Sequence, residues 1–83
     1  MADVVYKTDT CPNCAVLESQ LQKNPIPGVR VMNIDHDPTA RLYFEEMSKM
    51  TGIRAVPTAV IDGKAVTGSY QILAALRAKY GRP

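Results

Sequence analysis

The residues with the most chemistry in this sequence are Cys11 and Cys14, its only two cysteines. They stand in Cys11-Pro12-Asn13-Cys14, with the apolar run Val4-Val5-Tyr6 before them and Leu17 and Leu21 after them at helical spacing. Two thiols so placed can exchange a disulfide, share a metal, or lie inert in a core. A structural zinc site wants four soft ligands, and the chain offers two cysteines and one histidine, so no metal is expected. Redox exchange is the reading that uses only what is there. If the apolar run is a strand and the next segment a helix, Cys11 stands where the helix begins, beside unpaired N–H groups and the positive end of the dipole. That setting favours thiolate over thiol, which lowers the pKa of Cys11 and makes it the expected nucleophile. Cys14, one turn on, faces the same way and can close the ring, while Pro12 at the first helical position loses no hydrogen bond.

The elements that must position these sulfurs read off in order. Asp3 to Lys7 predicts a short strand buried on both faces. Thr8-Asp9-Thr10 supplies turn and capping groups, and Asn13 to Lys23 reads as an amphipathic helix with Cys14, Leu17 and Leu21 inward. Asn24-Pro25-Ile26-Pro27-Gly28 breaks it. Val29 to Ile34 alternates as a second strand. Asp35-His36-Asp37-Pro38 then caps a helix from about Thr39 to Thr51, ended by Gly52, with Ala40, Tyr43, Phe44, Met47 and Met50 expected on its core side. Thr58 to Ile61 is a third strand. Asp62-Gly63 is a hairpin signal, so Ala65-Val66 must pair antiparallel with it. Gly68-Ser69 opens a last helix whose buried stripe is Ile72, Leu73, Leu76 and Tyr80. The expected fold is α/β, with a four-stranded mixed sheet and three helices in the order βαβαββα, one domain over residues 1–83.

Composition narrows the rest. With 83 residues and 46% apolar content the chain sits near the lower limit for a core that needs no staples. A net charge of +2 carries no polyanion signal, so no nucleic-acid partner is expected. No apolar run approaches the roughly 20 residues of a membrane span, and Met1-Ala2-Asp3 runs straight into a strand pattern with no signal peptide. Two cysteines in one pair, in place of several disulfides, point to a reducing, cytoplasmic setting.

The pair after a first strand, the order of elements, and Ala55-Val56-Pro57-Thr58 ahead of the third strand resemble the thioredoxin fold. Within that fold Cys11-Pro12-Asn13-Cys14, the small size and Asp62-Gly63-Lys64-x-Val66-x-Gly68 resemble glutaredoxins and the glutaredoxin-like electron donors of ribonucleotide reductase. The resemblance covers essentially the whole chain. It implies a dithiol–disulfide oxidoreductase with Cys11 as exposed nucleophile, Cys14 as resolving thiol, and Pro12 and Asn13 at the substrate surface. It further implies a cis Val56–Pro57 bond beside the dithiol, with the Val56 backbone meeting the substrate, and Gly68 and Ser69 receiving a glutathione carboxylate. Lys7 matches a position often basic in such proteins and would steer an anion. The implied partners of this monomer are disulfide-containing proteins and glutathione as co-substrate, with no tightly bound cofactor. Glutaredoxins carry Gly-Gly followed by an Asp near the last helix; this chain reads Thr67-Gly68-Ser69-Tyr70-Gln71. The relatives served by thioredoxin reductase show a Trp-containing motif there, and this chain has no Trp. Thioredoxin reductase therefore stays beside glutathione as the alternative reductant. An iron–sulfur carrier, as some glutaredoxin relatives are, or a non-catalytic binding module is the rival from another class.

Other residues have plainer readings too. An ordinary trans proline at a strand edge is one for Pro57, but its distance from the dithiol and the flanking Val56 and Thr58 favour the cis reading. Lys7, Arg41, Lys49 and Arg54 are candidates for a positive rim around a glutathione or protein disulfide, Lys7 and Arg54 ahead of the other two, although isolated basic residues are usually just solvated. His36 between two aspartates is expected to be a solvated turn residue.

Overall fold

The computed structural model describes residues 3–81, so Met1, Ala2, Arg82 and Pro83, including the ends of the expected single domain, lie outside it. Strand β1 (Asp3–Lys7) leads into α1 (Pro12–Lys23), then β2 (Val29–Asn33), α2 (Pro38–Thr51), the hairpin β3 (Thr58–Ile61) and β4 (Lys64–Thr67), and α3 (Ser69–Tyr80). The sheet runs β2-β1-β3-β4, with β1 parallel to β2 and antiparallel to β3. The expected βαβαββα order and mixed sheet are therefore present. Among the described residues no helix is long and apolar enough to cross a membrane.

Strand β1 lies inside the sheet, which is why its run Val4-Val5-Tyr6 is apolar on consecutive positions. Val5 points to the face covered by α1 and α3, where it packs with Leu17, Ala59, Ile61, Ile72 and Leu76. Tyr6 points to the other face, into a smaller cluster with Phe44 and Met47 of α2, its ring set edge-on to Phe44. Burying side chains such as Leu17 and Ile72 contributes about 1.5–3 kcal/mol each before the entropy of ordering them is set against it.

One expectation needs correction. Tyr43 and Met50 are not core: they are 56% and 84% exposed, whereas Ala40, Phe44, Met47 and Ser48 are buried. At about 100° per residue, Ala40, Phe44, Met47 and Ser48 fall in one arc, while Tyr43 and Met50 lie to one side of it. A single helix over that face of a four-stranded sheet has no second neighbour to cover its flank. The other helix stripes hold as read, with Cys14 and Leu17 buried on α1 and Ile72 and Leu76 on α3, beside half-buried Leu73 and Tyr80.

The helix ends follow the local chemistry. Asp37 accepts hydrogen bonds from the Thr39 and Ala40 amides at 2.9 and 3.3 Å, Pro38 takes the first turn, and Gly52 closes α2 in the left-handed region. The cap of α1 is a sulfur.

Candidate active site

Cys11 is the N-cap of α1. Its φ of −102° and ψ of 109° are extended, its carbonyl accepts the first helical bond from Ala15, and its Sγ accepts the Cys14 amide at 3.1 Å. That is the bond a Ser or Asp side chain makes at an ordinary N-cap. Cys11 and Cys14 are joined as a disulfide, with Cα atoms 5.1 Å apart. The two sulfurs are unequal in exposure: Cys11 is partly exposed, whereas Cys14 is 2% exposed beneath the helix. Pro12 and Asn13, between them, are exposed.

The segment before β3 comes up against this sulfur. The Val56–Pro57 peptide bond is cis, and the Val56 carbonyl oxygen lies 3.5 Å from Cys11 Sγ. Residues distant in sequence are thus brought together as the resemblance implied. The turn is held from both sides. Thr58 Oγ1 donates to the Ala55 carbonyl at 2.6 Å, and the Pro57 carbonyl accepts the Gly68 amide at 3.1 Å and the Thr67 hydroxyl at 3.3 Å. Gly68 takes φ +94°, which side-chain-bearing residues rarely adopt, and the Gln71 side chain packs where a Cβ would stand. Ser69 is buried in the first turn of α3, which has no side-chain cap.

The two favoured rim residues, Lys7 and Arg54, are paired. Lys7 Nζ donates to both carboxylate oxygens of Glu18 at 2.8 and 2.9 Å, tying the end of β1 to α1. Arg54 grips Glu45 of α2 with both terminal nitrogens at 3.1 and 2.9 Å, which holds the Glu45 carboxyl below its usual range. Each cation is therefore shared with a helix and not aimed freely at a ligand.

A group that sequence reasoning passed over lies next door. His36 is exposed as expected, but its Nε2 pairs with the Asp9 carboxylate, whose other oxygen accepts from Asn33 Nδ2 at 2.8 Å. Hydrogen bonds from Asn33 and then His36 hold Asp9 below the usual carboxylate range. The signal was available: parallel neighbouring strands must deliver their following loops side by side.

A helix-capping cysteine pair facing a cis-proline turn on a four-stranded mixed sheet defines a thioredoxin-like protein. Known structures agree. A crystal structure of a thioredoxin-like protein superposes with TM-score 0.66 at 27% identity, over 90% of this chain and 96% of that one. The buckwheat glutaredoxin–glutathione complex gives TM-score 0.67 at 19% identity, covering 95% and 69%. Wheat glutaredoxin gives 0.67 at 23%, covering 95% and 70%. Comparison with curated protein sequences returns no significant match. The profile of the family described as Glutaredoxin matches residues 4–66, and the chain belongs to that family. Family and cysteine pair together indicate a thiol–disulfide oxidoreductase.

Proposed function

We propose that this protein reduces protein disulfides or glutathione mixed disulfides, with Cys11 as the attacking thiolate and Cys14 as the resolving thiol. The observation that carries the reading is the Cys14 amide donating to the partly exposed Cys11 sulfur at 3.1 Å, while Cys14 itself is buried. An anionic sulfur accepts that bond better than a neutral one, and the N-terminal dipole of α1 adds to the preference. In the reduced protein the Cys11 thiolate attacks one sulfur of a substrate disulfide. That S–S bond breaks, one thiolate leaves, and the other half stays on Cys11 as a mixed disulfide. Cys14, giving up its proton, then attacks Cys11 Sγ, and the second substrate thiolate leaves. Two electrons have passed to the substrate, and the protein holds the Cys11–Cys14 disulfide. The Val56 carbonyl, 3.5 Å from the reacting sulfur, lies where an extended substrate backbone would dock. Glutathione, as co-substrate, returns the electrons to this monomeric, cytoplasmic protein without a tightly bound cofactor.

One observation favours thioredoxin reductase as the second candidate reductant. The Gly68 amide already serves the Pro57 carbonyl, and no carboxylate stands among residues 67–71 to grip the glutathione ammonium. Coupled assays, one with glutathione and its reductase and the other with thioredoxin reductase, separate the two. Cys11→Ser is expected to abolish turnover in either, and Cys14→Ser to stop dithiol reduction while retaining some deglutathionylation. Equal loss from both variants, with normal folding, would overturn the assigned roles. The alkylation rate of Cys11 against pH should give a pKa below the free-thiol value of about 8.5.

A further inference from the structure

The loops that follow β1 and β2 leave the sheet side by side, because the strands are parallel and their last pair is Lys7 with Asn33. Asp9 is where they meet. Its Oδ1 accepts from Asn33 Nδ2 at 2.8 Å, its Oδ2 meets His36 Nε2, and its amide donates to Asp35 Oδ2 at 3.0 Å. Asn33 Oδ1 in turn accepts the Asp35 amide at 2.8 Å. Asp9, Asp35 and His36 are all exposed, so burial does not hold them. A lacing of this kind contributes little to global stability, and its effect is local.

Cys11 is two residues from Asp9, so their Cα atoms are within about 7 Å. The electrostatic effect of the Asp9 carboxylate at that range opposes the thiolate, since it lies within a Debye length of about 8–10 Å. Asp35 and Asp37 add to the same sign, against Lys7, which is itself paired with Glu18. If Asp9 helps Cys11 at all, it must do so through geometry.

We infer that Asp9 is a positioning residue for the nucleophile: tied to Asn33 and His36, it keeps the loop between β1 and α1 where the Cys11 sulfur can accept the Cys14 amide. The inference rests on the reading of Cys11 as the attacking thiolate. Asp9→Asn and Asp9→Ala remove the same charge, but only asparagine keeps an acceptor for Asn33, so their difference isolates position from electrostatics. The measurement is iodoacetamide alkylation of Cys11 in the reduced full-length protein across pH, followed by peptide mass, with thermal melting alongside. Asp9→Ala should alkylate about fivefold more slowly than Asp9→Asn near pH 7, the effect of one ordinary hydrogen bond, and its Cys11 pKa should be higher. Asn33→Ala, which cuts the same link from the other loop and keeps the Asp9 charge, should alkylate about fivefold more slowly than wild type, which carries the same charge, and answers the question if Asp9→Ala folds poorly. Equal rates for the asparagine and alanine variants, or a faster alanine variant, would overturn the inference. Alkylation reads the thiol and not turnover. A protein inactive on every disulfide but showing the asparagine–alanine split would therefore sink the enzymatic reading and leave this one standing.

Discussion

The two ends of β1 use polar groups in opposite ways. At the start of the strand Asp3 is buried, 4% exposed, and its carboxylate receives Lys79 Nζ and the Tyr80 hydroxyl, each at 2.6 Å, and the Asp62 amide at 3.2 Å. Lys79 also reaches Asp62 at 2.7 Å, so one carboxylate joins the first strand, the β3–β4 turn and the last helix. Past the other end, Lys7–Glu18, Asp9–His36 and the Cys11 sulfur stand partly or fully open to solvent. A buried charge with every acceptor used is costly to disturb, whereas exposed pairs are worth little. The polar contacts that are costly to break thus lie at the pole away from the sulfurs, and those beside the sulfurs are exposed.

The contrast can be broken from either side. Asp3→Ala should cost about 2 kcal/mol in denaturant unfolding, because it removes the acceptor of the Asp62 amide and leaves the Tyr80 hydroxyl only the Gly28 carbonyl at 3.4 Å, although part-exposed Lys79 can return to water. Exchange activity per folded molecule should not change; a comparable fall in activity would mean that the poles are coupled. Gly68→Ala, at the reactive pole, should cost about 1–3 kcal/mol from the forced φ alone, and it should also slow exchange by shifting the turn that carries Pro57.

Acid sharpens the comparison further. Burial pushes the Asp3 carboxyl up, but the hydrogen bonds from Lys79, Tyr80 and the Asp62 amide outweigh it and hold the folded value below the ordinary one. Its stabilising contribution is therefore present above the unfolded value of about 3.9 and is lost as pH falls through the lower folded value. The stability gap between wild type and Asp3→Ala should narrow between pH 5 and pH 2 by chemical denaturation, and a widening gap would reverse the sign of the argument. The smallest effect is expected on α2, where the buried Ser48 hydroxyl has no hydrogen-bond partner among the described residues. Ser48→Ala should raise stability by about 1 kcal/mol without touching exchange.

Much of this was readable in advance because the signals are local. Asp37-Pro38 and Gly52 mark the ends of α2, Asp62-Gly63 marks the hairpin, and Cys11-Pro12 marks the start of α1, each through backbone demands that only certain residues meet. Tyr43 and Met50 are exposed against their spacing because periodicity reports a helix face but not how many neighbours will cover it. The pairing of Lys7 and Arg54 is not legible in the sequence because Glu18 and Glu45, their partners, stand 11 and 9 residues away with no pattern linking them.

The amino-acid order by itself determined the reactive pair, the helix that bears it, the proline that can be cis and the alternation of strands and helices, since each depends on neighbours along the chain. Only the tertiary structure decided that the Val56 carbonyl meets Cys11, that Asp9 is bound to Asn33 and His36, and that Asp3 joins both ends of the chain. Those contacts span 24 to 76 residues, and they exist because the sheet order β2-β1-β3-β4 and the packing of α3 on it bring distant segments to one or the other end of β1.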